Sequence, residues 1–224
     1  MSKIKSVTWD GKSTAKYAHL KIDGAFLRVV KDENGEIKCL SSLDTDLTLQ
    51  ISNCKPRWLI NLHKNMPLNS SVLGELYYYN VEEEKGCPAS FIKTGLAESV
   101  NWFDERCVGI DKRILGNRRK NKEINKDGRF GSKQLRFANI AIEYGFDCIT
   151  STSDLEEVEL AILRLGVEFA RYIRIKDGME YYTKDSLLNS LIFYQGDCKG
   201  LAEGWVLKDS NLYGWRKVKK ENTI

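Results

Sequence analysis

The sequence predicts an α+β domain built on antiparallel sheets with helices packed against them. Three observations carry this. Runs rich in β-branched and aromatic residues, bounded by Asp-Gly and Asn-Gly pairs, fill the first half. Two segments with helical apolar spacing and capping residues follow in the second half. Two short strand-like runs then close the chain.

Taken in order, "HLKIDGAFLRVV" (19–30) and "EIKCLSS" (36–42) read as strands separated by "KDENGE", whose Asn34-Gly35 is a hairpin turn signal. Asp23-Gly24 inside the first run is a second such signal, and locally it makes Lys21 an ordinary strand lysine. "SVLGELYYY" (71–79) is a further strand, and "SFIKTGLAESVNWF" (90–103) a short helix entered from Pro88 and Ser90. "LRFANIAIEY" (135–144) reads as a buried strand. In "TSDLEEVELAILRLGVEFARYI" (152–173), Ser153 or Asp154 caps a helix, Glu156 and Glu157 suit its positive end, and Gly166 stops it before an extended "VEFARYI". "TKDSLLNSLIFYQG" (183–196) is a second capped helix, and "AEGWVLKD" (202–209) and "YGWRKVKK" (213–220) are the closing strands.

At 224 residues, 42% hydrophobic and 29% charged, the chain has the composition of a globular protein with a proper core. No apolar run approaches the ~20 residues that span a bilayer. The opening "MSKIKSVTWDGKSTAKY" has no signal-type apolar core, so a cytoplasmic protein without membrane association is expected. The six cysteines lie far apart with no C-x-x-C pair, which argues against a zinc site or a disulfide framework. Net charge is only +4, yet nine basic residues between Lys112 and Lys133 face only Glu123 and Asp127. A solvated loop is one reading of that run; a polyanion-seeking segment is the other.

Five further features share an order. Lys21-x-Asp23-Gly24 comes first, then Gly74-Glu75-Leu76, the aromatic strand with Phe137, Glu203-Gly204-x-Val206-x-Lys208, and Trp215-x-Lys217-x-Lys219. Alone, each has an ordinary reading: a turn, a solvated glutamate, a core phenylalanine, a charged strand end. Together they resemble the motif series of the covalent nucleotidyltransferases, the ATP-dependent DNA and RNA ligases with mRNA capping enzymes as relatives. "CLSSLDTDLT" is similar to the ligase segment S-R-x-G-x-D-x-T, and "PASFIKTGLAES" to an A-S-x-x-x-T-A-L helix of some ligases.

The resemblance implies a nucleotidyltransferase (ATP-grasp-like) fold with a nucleotide cleft between antiparallel sheets. It implies ATP as the source of a covalent lysyl-AMP at Lys21, Mg²⁺ bound by Glu203, and nicked duplex nucleic acid as partner. Asp23 would act near the attacked phosphate or the bound 5′ end, and Ile22 would belong to the nucleotide site. Glu75 would bind the ribose, Phe137 would stack on adenine, and Lys217 and Lys219 would hold the α-phosphate. The residue types suit the chemistry. An attacking lysine must lose its proton against a reference pKa of about 10.4, which neighbouring cations promote. Nucleotidyl transfer otherwise needs positioning and charge neutralisation.

The pattern is also broken. Phe26 stands where K-x-D-G-x-R has arginine, with Arg28 two residues on, and Ser42 replaces the arginine of S-R-x-G. Substrate grip is therefore expected from a basic insertion at about 104–133, with Arg118, Arg119, Lys120 and Lys122 as nucleic-acid contacts. Gly24 is expected to clear space for the nucleotide. The expected organisation is one domain over 1–224 without the OB-fold that follows in DNA ligases and capping enzymes. That makes it a minimal monomeric ligase, a fragment, or an enzyme needing a partner protein. An ATP-dependent DNA ligase is the first reading and an RNA ligase the second. A nucleic-acid-binding module without chemistry is the alternative of another class.

Overall fold

The computed structural model describes residues 7–8, 15–53, 56–80, 85–87, 135–145, 147–148, 155–175, 183–196, 201–208 and 216–219. They form two sheets flanked by helices, an α+β architecture. The first sheet has the order β1 (Val7–Thr8), β11 (Arg216–Lys219), β10 (Ala202–Lys208), β2 (Tyr17–Ile22), β9 (Tyr172–Arg174). It is antiparallel except where β1 runs parallel to β11. The second, wholly antiparallel, has the order β4 (Ile37–Ser41), β3 (Ala25–Lys31), β5 (Ser70–Asn80), β7 (Leu135–Tyr144), β8 (Asp147–Cys148), with β6 (Lys85–Cys87) also on β5. The helices are α1 (Thr48–Asn53), α2 (Arg57–Asn65), α3 (Leu155–Arg164) and α4 (Lys184–Tyr194).

The two turn signals have different fates. Asn34-Gly35 closes the β3–β4 hairpin: Lys31 pairs with Ile37, Gly35 takes φ 82°, and Asp32 Oδ1 accepts from the N–H groups of Asn34 and Glu36, both at 2.9 Å. Asp23-Gly24 makes no hairpin, because β2 and β3 belong to different sheets. The chain crosses there from one sheet to the other. A Cβ on Gly24 would lie 2.7 Å from the Leu76 carbonyl oxygen, so the glycine serves close approach to β5.

The helices follow their stop and start chemistry. Gly166, at φ 74°, ends the α3 region. Asn65 and Asn61 of α2 donate to the carbonyls of Leu165 and Gly166 at 2.9 and 2.5 Å, satisfying acceptors the helix end leaves open. Thr183 caps α4 by accepting from the Ser186 N–H. The expected helix at 90–103, the basic insertion at 104–133 and the caps Ser153 and Asp154 lie outside the described residues. No described helix is long and apolar enough to cross a membrane.

Each sheet buries one face against helices. In the first, Trp205, Leu207, Leu20 and Val218 lie beneath α4, and the Trp205 indole N–H donates to the Leu187 carbonyl at 2.6 Å. In the second, Leu27, Leu76, Leu135 and Phe137 are buried, and Trp58 of α2 packs on Phe137 with ring centroids 4.8 Å apart. Full burial of such side chains is worth about 1.5–3 kcal/mol each. These packed faces leave the opposite ones to carry polar residues.

Candidate active site

Three strands build the centre of the site. Lys21 of β2 is paired with Gly204 of β10, and Gly204 is paired on its other side with Lys219 of β11. Cross-strand partners share a face, so both lysines project from the same side of the sheet. Gly204 is required there: a Cβ would lie 1.8 Å from the Val218 carbonyl oxygen.

Glu203 arrives on that face through an irregularity. Ala202 pairs with Ile22 and Gly204 with Lys21, so two steps along β10 match one along β2. Glu203 is the extra residue of this β-bulge, and a bulge re-aims its side chain. Its Oε2 accepts from Lys21 Nζ in a close ion pair and from Lys219 Nζ at 2.9 Å. Partial burial alone would raise the Glu203 carboxyl, but hydrogen bonds and charge from Lys21 and Lys219 outweigh it and hold the group below its usual range. Lys217 lies opposite Val206 on the same face, about 7 Å from Lys219 by strand rise. The structure thus gathers Lys21, Glu203, Lys217 and Lys219. Asp23 follows, exposed, with its N–H donating to the Leu201 carbonyl at 2.9 Å. The Ile22 side chain is buried in the core, leaving only its main chain for a nucleotide.

The second sheet contributes Glu75. Its Oε2 lies 3.3 Å from where a Gly24 Cβ would stand, beside the Lys21–Gly24 turn. Glu75 is paired with Phe26 on β3 and with Ala138 on β7, so these three form one row on one face. Phe137 does not join them. It pairs with Leu76, faces the other side, and is 5% exposed. Strand alternation therefore places Phe137 among the buried core residues and seats Ala138 next to Glu75.

The segment from Ser41 to Thr48 is a hydrogen-bonded turn. Asp46 Oδ1 accepts from both the N–H (2.8 Å) and the hydroxyl (2.5 Å) of Thr48, and Ser41 Oγ accepts from the Thr45 N–H. Asp44, at the position of the glycine in S-R-x-G, has φ 57°, a conformation that glycine adopts freely. Its carboxylate holds Arg28 at 3.4 Å. Arg118, Arg119, Lys120 and Lys122 lie outside the described residues.

Among the described residues no three His, Cys, Asp or Glu side chains gather as a metal site. A lone hard carboxylate such as Glu203 nevertheless suits Mg²⁺, which takes one or two carboxylates and completes its shell with phosphate and water.

No family model and no curated protein sequence matches the chain. Solved structures do. An archaeal ATP-dependent RNA ligase matches with a TM-score of 0.51 at 12% identity, over 97% of this chain and 47% of its own. The ligase domain of LigD from M. tuberculosis matches with a TM-score of 0.50 at 14% identity, over 96% of this chain and 58% of its own. The chain spans about half the length of these solved structures. By fold, two antiparallel sheets flanked by helices, this chain is similar to ATP-dependent RNA and DNA ligase domains.

Proposed function

We propose that the protein is an ATP-dependent polynucleotide ligase that works through a lysyl-AMP at Lys21. The observation that carries this is the junction at Gly204, where the single lysine of K-x-D-G, the bulged Glu203 and Lys219 meet on one face. Lys21 Nζ attacks the α-phosphorus of ATP, an N–P bond forms, and the bond to pyrophosphate breaks. The 5′-phosphate of a nick then displaces the lysine and takes the AMP. The 3′-hydroxyl attacks that activated phosphate, joins the strands and releases AMP.

Each residue has a task in this reading. Lys21 Nζ is hydrogen-bonded to Glu203, so attack requires that contact to open and the nitrogen to lose a proton. Lys219 and Lys217 face the charge that develops on the α-phosphate. Glu75, beside the Lys21–Gly24 turn, accepts hydrogen bonds from the ribose hydroxyls. Asp23, exposed at the end of β2, serves the incoming 5′ end. Glu203 would hold Mg²⁺, which when bound supplies neutralisation of phosphate charge. Phe137 has no part in contact with the nucleotide.

Nicked DNA is the first proposed substrate, on the form of "EGWVLK", which looks like its DNA-ligase version. An RNA-containing nick is the second reading; the archaeal RNA ligase and the LigD ligase domain match the fold about equally. The test is incubation with α-labelled ATP, or α-labelled GTP in parallel, followed by denaturing electrophoresis and then a chase with nicked DNA or nicked RNA. Alkali-stable, acid-labile label from ATP that passes to one of the nicks supports the proposal and names its substrate. A protein that binds nicks and takes no label is the binding module instead.

A further inference from the structure

We infer that Phe26, rather than Phe137, supplies the flat apolar surface against which the bound nucleoside packs. The inference rests on the proposed nucleotide site and assigns one more residue to it. Glu75 has two direct neighbours on its face, Phe26 on one side and Ala138 on the other. Adjacent strands are about 4.8 Å apart, so a nucleoside held by Glu75 touches one or both. Ala138 offers only a methyl group and leaves room. Phe26 offers a ring.

The environments of the two phenylalanines differ in the same sense. Phe137 belongs to the core cluster and has Trp58 against it. Phe26 is partly exposed, belongs neither to the core cluster nor to the hydrophobic residues packed on it, and makes no ring contact among the described residues. It begins two residues after Gly24, at the point where the chain passes from Lys21 towards Glu75. A large apolar ring left off the core, on a face lined by Glu75 and Arg28, gains by covering itself with a flat ligand. Aromatic packing of this kind is commonly worth about a factor of ten in affinity.

The test is the KM for ATP in lysyl-AMP formation by the full chain, for wild type and for Phe26→Ala, Phe26→Leu and Phe26→Tyr. Strand joining is measured separately, from protein already adenylylated. Phe26→Ala and Phe26→Leu are expected to raise KM roughly tenfold and Phe26→Tyr to stay near wild type. Phe26→Leu keeps apolar bulk, so its loss reads the flat ring and not folding. An unchanged KM in Phe26→Leu, or a defect confined to strand joining, overturns the inference while lysine labelling in wild type still stands. Absence of label in wild type itself removes the proposed function, and this inference with it.

Discussion

The lysine face of the first sheet and the Glu75 face of the second are assembled by opposite means. On the first, an irregularity does the work: regular alternation would send Glu203 to the face that carries Trp205, and the bulge returns it to Lys21 and Lys219. On the second, no irregularity intervenes at the decisive place. The register shift between β5 and β7 falls beyond Asn139, so Phe137 and Ala138 keep strict alternation and Phe137 goes to the core. A motif written along a chain fixes which strands meet, and single-residue parity then decides which side chains do.

The sharpest way to break this contrast is Gly204→Ala. A Cβ set 1.8 Å from the Val218 carbonyl oxygen forces β10 and β11 apart, with a cost on the order of 5 kcal/mol, and lysine labelling goes with it. Thermal unfolding and the labelling assay read both. Phe137→Ala comes next, with a loss of about 3–5 kcal/mol in denaturant unfolding, as expected for a large buried ring. Its KM for ATP, measured below the unfolding range, is expected to match wild type. A raised KM without loss of stability would put Phe137 back in the site.

Glu203→Gln tests the bulge by chemistry. The amide keeps the shape and loses the charge, so lysine labelling is expected to fall roughly 100-fold, the scale of one lost electrostatic group in an active site. Unfolding is expected to shift little, because the ion pairs are partly exposed. The Glu203 carboxyl is held low in the folded protein, so its contribution is complete above the ordinary value of 4.5 and fades as pH falls below it.

The smallest effect concerns where the lysine face stops being a site. His19 lies two residues before Lys21 on β2, but it is buried against Phe169 and Tyr172, with Lys208 also facing it. Burial first, and the Lys208 charge second, hold it well below 6.5. The unfolded chain therefore takes up the proton first, and stability falls as pH drops below 6.5, by at most about 1.4 kcal/mol per pH unit. His19→Phe is expected to flatten that slope in urea titrations between pH 6.5 and 5. An unchanged slope would mean the histidine is not buried neutral.

Much of this architecture was legible in residue order. The strands carrying Lys21, Glu75, Glu203 and Lys219, the Asn34-Gly35 hairpin and the helix cap at Thr183 follow from local chemistry that the sequence spells out. Three things were not legible, each for a physical reason. Asp23-Gly24 has the composition of a hairpin turn, and only the choice of partner strands shows it to be a crossing between sheets. The bulge at Glu203 leaves no compositional mark, since Gly204 reads equally as a motif glycine. The parity of Phe137 depends on its pairing with Leu76, a partner set by tertiary packing. The helices α1 and α2, six and nine residues long and set on either side of Pro56, are too short to carry a clear periodic signal.

The most direct test of the central claim is peptide mass mapping after incubation with ATP and Mg²⁺. The account predicts a mass gain of one AMP on the peptide containing Lys21, stable to alkali, released by acid and by hydroxylamine, and absent from Lys21→Ala. A protein that keeps its native mass under those conditions, or carries AMP on another residue, contradicts it.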